Sequence, residues 1–322
     1  FAPHSSPLLL FIIQNDCARP HGPCARLQLL GVNVTVIYNP VAGRGRHGTS
    51  PEHIRELFRR HGIDAQVLVS RYPGHPRELA QNVRPGTLLV AMGGDGTVQQ
   101  VASVCAERGL CLGIIPAGSG DDLAFALGID RNDLEGAVQR IAGGEPHPID
   151  TGTCNGRRFI NAAGSGFDAE VALAALAAPP VFRESSAYLY GIVTSLRRLA
   201  AAPVTVSIDG ELAFAGSSLL VSVQNGPRTG GAFRFSPASR VDDGVFDVLI
   251  AGNVSRLQTL SVLPRLLDGS HLRHPKVQLL QARESVQIAW AQPRPAHLEG
   301  ELLEPVKEYD VRLFPASLRV VV

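Results

Sequence analysis

The chain contains Gly93-Gly94-Asp95-Gly96-Thr97, a glycine cluster that follows an apolar run and opens a helical one. Glycines placed there let backbone amides approach a bound anion closely, and the helix that follows offers N–H groups with partial positive charge. Two more loops share the pattern. Asn39-Pro40-Val41-Ala42-Gly43, continuing to Gly45, follows residues 32–38, and Pro116-Ala117-Gly118-Ser119-Gly120 follows residues 111–115. A single glycine after a strand is ordinarily just a turn. Three such loops on one sheet edge, two of them leading directly into a helix, point to a bound phosphate chain. Asp95 is the odd member, since a carboxylate inside a phosphate cradle repels its ligand unless a cation lies between them. Mg²⁺ resolves that conflict because it takes one or two carboxylates together with phosphate oxygens. The plainer alternative is an aspartate that only stabilises its own turn.

Two other chemistries fit poorly. Gly43, Gly45 and Gly48 match the spacing of a dinucleotide fingerprint, but the helix begins later, at Pro51, and the next strand ends in Ser70-Arg71 rather than an acidic residue. No Gly-x-Ser-x-Gly elbow for a serine nucleophile is present. His271, His274 and His297 are irregularly spaced and read as structural, and Arg183, Arg197 and Arg198 read as a solvated helix face.

The elements that must hold these loops can be read from periodicity. A β-branched strand over residues 32–38 stops at Asn39-Pro40, and Ser50-Pro51 supplies an N-cap and a first-turn proline for a helix ending at Gly62. A strand over 65–70, a helix over 77–83 and a strand over 87–92 follow. Thr97 is expected to cap a helix carrying Val98, Val101, Ala102 and Cys105 on one face, and Gly109 to close it. A strand over 111–115 and a helix over 121–127 continue the alternation, which predicts an α/β fold with a doubly wound parallel sheet. Beyond Gly144 the rhythm changes to short β-rich runs at 158–162, 204–208, 219–223, 245–251, 286–290 and 318–322. Asp209-Gly210 and Asn225-Gly226 serve as turn pairs, and helices interrupt near 186–201 and 255–267. This half reads as an antiparallel β-sandwich. The expected organisation is a loosely ordered extension over 1–30, a nucleotide-binding domain over 31–145 and a substrate domain over 146–322.

Composition narrows the class further. The 322 residues are 45% hydrophobic and 18% charged with a net charge of +1, which supports a real core and gives no footprint for nucleic acid. Five scattered cysteines form no C-x-x-C pair and suit a reducing compartment. The apolar run at residues 8–13 is too short to span a bilayer.

Taken together, these residues resemble the diacylglycerol kinase catalytic family, its soluble bacterial lipid kinases and the related sphingosine kinases. Asn39-Pro40-Val41-Ala42-Gly43 is similar to that family's Asn-Pro-x-x-Gly loop, Gly93–Thr97 to its nucleotide signature, and Pro116–Ala124 to its Pro-x-Gly-Thr-x-Asn-Asp-Phe-Ala segment. Phe159-x-Asn161, Gly164-x-Gly166-Phe167-Asp168, Gly230-Gly231 and Asp242-Asp243-Gly244-Val245-Phe246-Asp247 extend the likeness to the C-terminus. The resemblance implies an ATP site made by Asn39, Pro40, Val41, Ala42, Gly43, Ser70, Gly93, Gly94, Asp95, Gly96, Thr97, Val98, Gln99, Gly118 and Ser119, in a cleft between an NAD kinase/phosphofructokinase-like half and a β-sandwich. It also implies a structural Mg²⁺ near the Asp-Asp-Gly turn, corresponding to Asp243 and the main chain of Arg240 and Val245. By sequence alone Asp242 and Asp243 are equally well turn formers.

Two departures stand out. The family's Asn-Asp pair is Asp121-Asp122 here, and its Asp-Gly-Glu, whose Asp is taken as the base, reads Glu299-Gly300-Glu301. The expectation is a peripheral cytoplasmic enzyme at the inner face of the membrane that transfers the γ-phosphate of ATP to a lipid hydroxyl. Asp95 would hold Mg²⁺ and Glu299 would accept the proton. Rival readings are a kinase for NAD or another soluble metabolite, and a nucleotide-binding homologue that has lost catalysis. The sequence leaves the lipid open, and it leaves a homodimer open as well.

Overall fold

The computed structural model describes residues 33–44, 48–179, 181–182 and 185–322. The expected extension over 1–30, Gly45 and Arg183 lie outside the described residues.

The first half alternates as its periodicity predicts: β1 (Val34–Tyr38), α1 (Pro51–Arg60), β2 (Ala65–Val69), α2 (His75–Gln81), β3 (Leu88–Gly93), α3 (Asp95–Arg108), β4 (Cys111–Pro116), α4 (Asp122–Ala126) and α5 (Leu134–Gly143). The Ser50 side chain accepts the His53 N–H and Pro51 fills the first turn of α1, whose Ile54, Leu57 and Phe58 are buried against the sheet. The start of α3 differs from expectation. Thr97 does not cap it; the cap lies three residues earlier, at Gly94, with Asp95 in the first turn. An acidic first-turn residue suits the positive end of the helix, but no side chain caps α3.

The second half runs β5 (Pro146–Cys154), β6 (Arg157–Phe159), β7 (Ala162–Gly166), α6 (Phe167–Leu176), α7 (Ser185–Arg197), β8 (Ala202–Ile208), β9 (Glu211–Gln224), β10 (Phe246–Gly252), α8 (Arg256–Val262), β11 (Val277–Ala282), β12 (Ser285–Leu298) and β13 (Glu301–Val321). It forms the antiparallel β-sandwich. Phe159, Phe246, Trp290 and Tyr309 lie in its core, and Asp209-Gly210 closes the β8–β9 hairpin. Asn225 and Gly226 close no hairpin; both of their amides donate to the Asn161 carbonyl.

The sheet order is β11-β10-β9-β7-β12-β13-β4-β3-β1-β2. The last residues of β13 return to the first half, where Arg319–Val321 pair in parallel with Cys111–Gly113 of β4. In the parallel part, β1 lies between β2 and β3, so the strand order reverses between β1 and β3 while the strands stay parallel. The helices that follow those two strands pack into different buried clusters, α1 in one and α3 in the other, which leaves between them the crevice where open α/β sheets bind ligands.

Candidate active site

The three glycine loops meet at this crevice and are pinned to one another. The Asn39 N–H donates to the Met92 carbonyl at 2.9 Å, and its side-chain amide donates to Thr97 Oγ1 at 2.9 Å. The first loop is thereby tied to the second. Gly43 has φ 54°, and a Cβ there would stand 2.3 Å from the Ala117 carbonyl oxygen. A Cβ on Gly118 would stand 2.5 Å from Gly94 Cα. These contacts require glycine, because the neighbouring atoms are backbone and cannot swing away.

Asp95 does more than sit in a cradle. Its two carboxylate oxygens accept the N–H groups of Asp121 at 2.9 Å and Asp122 at 2.6 Å, which fastens the third loop to the start of α3. Asp121 accepts the Gly118 N–H at 2.9 Å, and the Arg131 guanidinium donates to the carbonyls of Gly118 and Ser119. From the second half, Arg228 donates to Asp122 at 2.8 Å and to the Gly120 carbonyl at 2.8 Å, with its guanidinium over the Phe125 ring at 4.0 Å. The Gly231 N–H also donates to Asp122.

A cavity of about 480 Å³ lies over these loops, lined by Asn39, Val41, Ala42, Gly43, Ser70, Gly94, Asp95, Gly96, Thr97, Gly118 and Ser119. Of the remaining residues expected at the nucleotide, Val98 and Gln99 face a neighbouring cleft, while Pro40 and Gly93 support the loops without lining the cavity. That cleft, of about 120 Å³, is walled by Asp95, Asp122, Asn161, Asp168, His297 and Glu299 among others. Asp95 borders both spaces and marks their junction.

Glu299 and Gly300 form the two-residue turn joining β12 to β13, with φ of 52° and 87°. Paired positive φ values are those of a type I′ hairpin turn, where a glutamate is strained relative to Asn, Asp or Gly. The turn delivers the side chain inward. Glu299 Oε1 accepts N–H groups from Ile160 and, at 2.7 Å, Asn161. Burial pushes its carboxyl up to about 7; the two amides oppose the rise, and the charges of Asp95 and Asp122 add to it. Asp122 is pushed up to about 6, by burial first and Asp95 second, against the pull of Arg228.

His297, expected to be structural, also lines the cleft. Its Nδ1 accepts the Gly300 N–H at 3.3 Å, so Nε2 carries the proton and donates to Asp168 Oδ2 at 3.2 Å. Irregular spacing in sequence gave no hint of this, since the pairing joins β12 to α6. Asp168 also borders a third space of about 70 Å³ that is walled almost wholly by apolar side chains, including Phe167, Val171, Ile192, Leu219, Phe235 and Leu263.

Two places have the donor chemistry for Mg²⁺. At the cavity junction Asp95 adds to the raised proton affinity of both Asp122 and Glu299, and Asp122 adds to that of Glu299, with Arg228 as the nearby countercharge; a hard cation would relieve that repulsion. In the 240–245 turn, Asp243 accepts the Val245 N–H at 3.1 Å, and burial raises its pKa, with further upward contributions from Asp150, Asp247 and Asp242. Asp243 and the carbonyls of Arg240 and Val245 are hard oxygen donors of the kind Mg²⁺ takes. Among the described residues no three His, Cys, Asp or Glu side chains group as a metal cage; a Mg²⁺ held by one or two carboxylates needs none.

The family described as the diacylglycerol kinase catalytic domain matches residues 33–154, and that described as the YegS C-terminal NAD kinase beta sandwich-like domain matches residues 161–322. A diacylglycerol kinase from Bacillus subtilis (strain 168) is 29% identical over 270 residues, covering 83% of this chain and 88% of its own length. One from Mycobacterium tuberculosis (strain ATCC 25618 / H37Rv) is 28% identical over 259 residues, covering 78% and 83%. A crystal structure of a diacylglycerol kinase from Bacillus anthracis str. Sterne shares the fold at TM-score 0.66 and 20% identity, over 90% of this chain and 96% of that one.

Proposed function

This chain belongs to the diacylglycerol kinase catalytic-domain family and is a kinase, and we propose that it moves the γ-phosphate of ATP onto the hydroxyl of a lipid. One observation carries the reading: three spaces adjoin in series, a glycine-lined cavity, an acidic cleft and an apolar pocket, joined at Asp95 and at Asp168. That order matches a triphosphate, a reacting hydroxyl and an acyl chain. An apolar pocket beside the acidic cleft favours a lipid acceptor over NAD or another soluble metabolite.

In this mechanism the backbone amides of the glycine loops hold the phosphate chain, and Asp95 fixes the third loop against α3 so that the cradle keeps its shape. Asp95 and Asp122 would hold Mg²⁺, which when bound supplies neutralising charge at the β- and γ-phosphates. Glu299, oriented by two amides on Oε1, offers Oε2 to the lipid hydroxyl. The hydroxyl oxygen bonds to the γ-phosphorus, the bond from that phosphorus to the β,γ-bridging oxygen breaks, ADP leaves, and the hydroxyl proton passes to Glu299. A base whose pKa lies near 7 suits proton transfer at neutral pH.

Peripheral contact with the bilayer is part of the proposal. No helix among the described residues is long and apolar enough to cross a membrane. Leu173 and Leu176 on α6, Leu189 on α7, and Leu257 and Leu260 on α8 are exposed, on the helices that bound the apolar pocket. Incubation with γ-labelled ATP, Mg²⁺ and vesicles carrying diacylglycerol, phosphatidylglycerol, a sphingoid base or a polyprenol, with NAD as a soluble acceptor, is expected to label one lipid class and leave NAD unlabelled. Label in NAD alone would defeat the lipid reading, and label in nothing despite ATP binding would favour a homologue without catalysis.

Gly118→Ala tests the cradle separately. Its Cβ would press on Gly94 Cα at 2.5 Å and Asp121 Oδ1 at 2.8 Å, so the second and third loops must separate, at a cost of about 1–3 kcal/mol. ATP affinity by calorimetry is expected to fall by about tenfold or more, a penalty of at least ~1.4 kcal/mol; unchanged affinity would mean that the loops do not grip the phosphates.

A further inference from the structure

We propose that Tyr72 is the platform on which the nucleotide base stacks, an inference that rests on the nucleotide reading of the glycine-lined cavity. The phosphate end of that cavity is fixed by backbone amides. Its other wall is built by the segment after β2, where Arg71, Tyr72, Pro73, Gly74 and Pro76 face the same space. Tyr72 is a large aromatic residue left 51% exposed, yet it is firmly held. Its ring stacks on His75 at 4.5 Å between centroids and 11° between planes. The phenol donates to Glu78 at 2.6 Å, and the Arg71 N–H donates to His75 Nδ1 at 3.0 Å, which fixes the second ring in turn.

An exposed aromatic ring usually keeps its rotamer freedom. Here both ends of the two-ring stack are anchored, so a flat ligand laid against the tyrosine would order nothing new, and the gain from contact is not spent on immobilising the side chain. The apolar surface that Tyr72, Pro73 and Pro76 bring to this wall beside Arg71, opposite amide donors suited to phosphates, gives the cavity two ends of different chemistry. A triphosphate with a planar base attached has the same polarity. Because every base presents a π-face, stacking alone discriminates weakly among bases; the platform should separate nucleotides from bare polyphosphate more strongly than one base from another.

The test is binding, measured by calorimetry with Mg²⁺ present, of ATP and of inorganic tripolyphosphate to the wild type, Tyr72→Ala and Tyr72→Phe. The wild type is expected to bind ATP about ten- to a hundredfold more tightly than tripolyphosphate. Tyr72→Ala should erase most of that gap by weakening ATP alone, and Tyr72→Phe should keep the gap to within about threefold, since it retains the ring and loses only the Glu78 anchor. A gap that survives in Tyr72→Ala, or none in the wild type, overturns the platform while leaving a phosphate site standing. A wild type that binds neither compound overturns the nucleotide reading itself.

Discussion

Glu299→Gln is expected to abolish measurable lipid phosphorylation while leaving ATP binding intact. The amide keeps an oxygen for the Ile160 and Asn161 N–H groups but cannot accept a proton from the attacking hydroxyl. Loss of a positioned general base costs about 10²- to 10⁴-fold. In the wild type, kcat/KM should fall about tenfold per pH unit below about 7, the value to which burial lifts Glu299. A flat profile across that range, or a Gln variant with ordinary turnover, would remove Glu299 from the mechanism.

The same substitution should stabilise the protein at alkaline pH. A carboxyl raised from 4.5 to about 7 on folding is bound to its proton more tightly in the native state, so the favourable contribution is whole below pH 4.5 and lost as pH climbs through about 7. Above that point the wild type carries a penalty of about 3 kcal/mol that the neutral amide avoids. Thermal melts at pH 8 should place Glu299→Gln above the wild type, and the difference should vanish near pH 4.5. Opposite effects on turnover and stability are what a strained, desolvated base predicts.

The parts of this protein that depend on local chemistry were legible in its sequence. Ser50-Pro51 announced α1, Gly109 closed α3, and the glycines of residues 93–96 marked a close backbone approach that Gly118 completes. The alternation of β1 to β4 with helices declared the parallel sheet. What stayed hidden depends on distance along the chain. Sequence showed Asp95 as a carboxylate in a phosphate loop but not that both its oxygens are engaged by Asp121 and Asp122. It showed Glu299 in place of the family's Asp, yet the amides of Ile160 and Asn161 that meet the longer side chain lie 139 and 138 residues away. α6 was missed because its residues, Phe167 to Leu176, are apolar nearly all round and carry no amphipathic period. β5 was missed because it opens with two prolines, Pro146 and Pro148, which argue against a strand until its antiparallel partner β13 is known. The return of β13 to β4 could not be foreseen from a short C-terminal β run, since register is set by partners and not by the strand alone.

Asp95→Asn should separate the two duties that this residue combines. The side-chain oxygen of the variant can still accept one N–H, but its amide nitrogen must meet the other donor, Asp121 N–H or Asp122 N–H, leaving that group unsatisfied at a cost of about 1–3 kcal/mol. The third loop loosens, and the charge that would hold Mg²⁺ is gone. Lipid phosphorylation is expected to fall by at least about a hundredfold. A second readout distinguishes lost charge from a merely loosened loop. Asp95 contributes to the raised pKa of both Glu299 and Asp122, so its neutralisation should lower both, and the residual activity should begin to fail at a more acidic pH than in the wild type. If the residual profile keeps its midpoint near 7 while activity drops, the carboxylate acts only by fastening Asp121 and Asp122. If it shifts to acid, the negative charge at the junction of cavity and cleft tunes the base, and the cluster of Asp95, Asp122 and Glu299 works as one electrostatic unit.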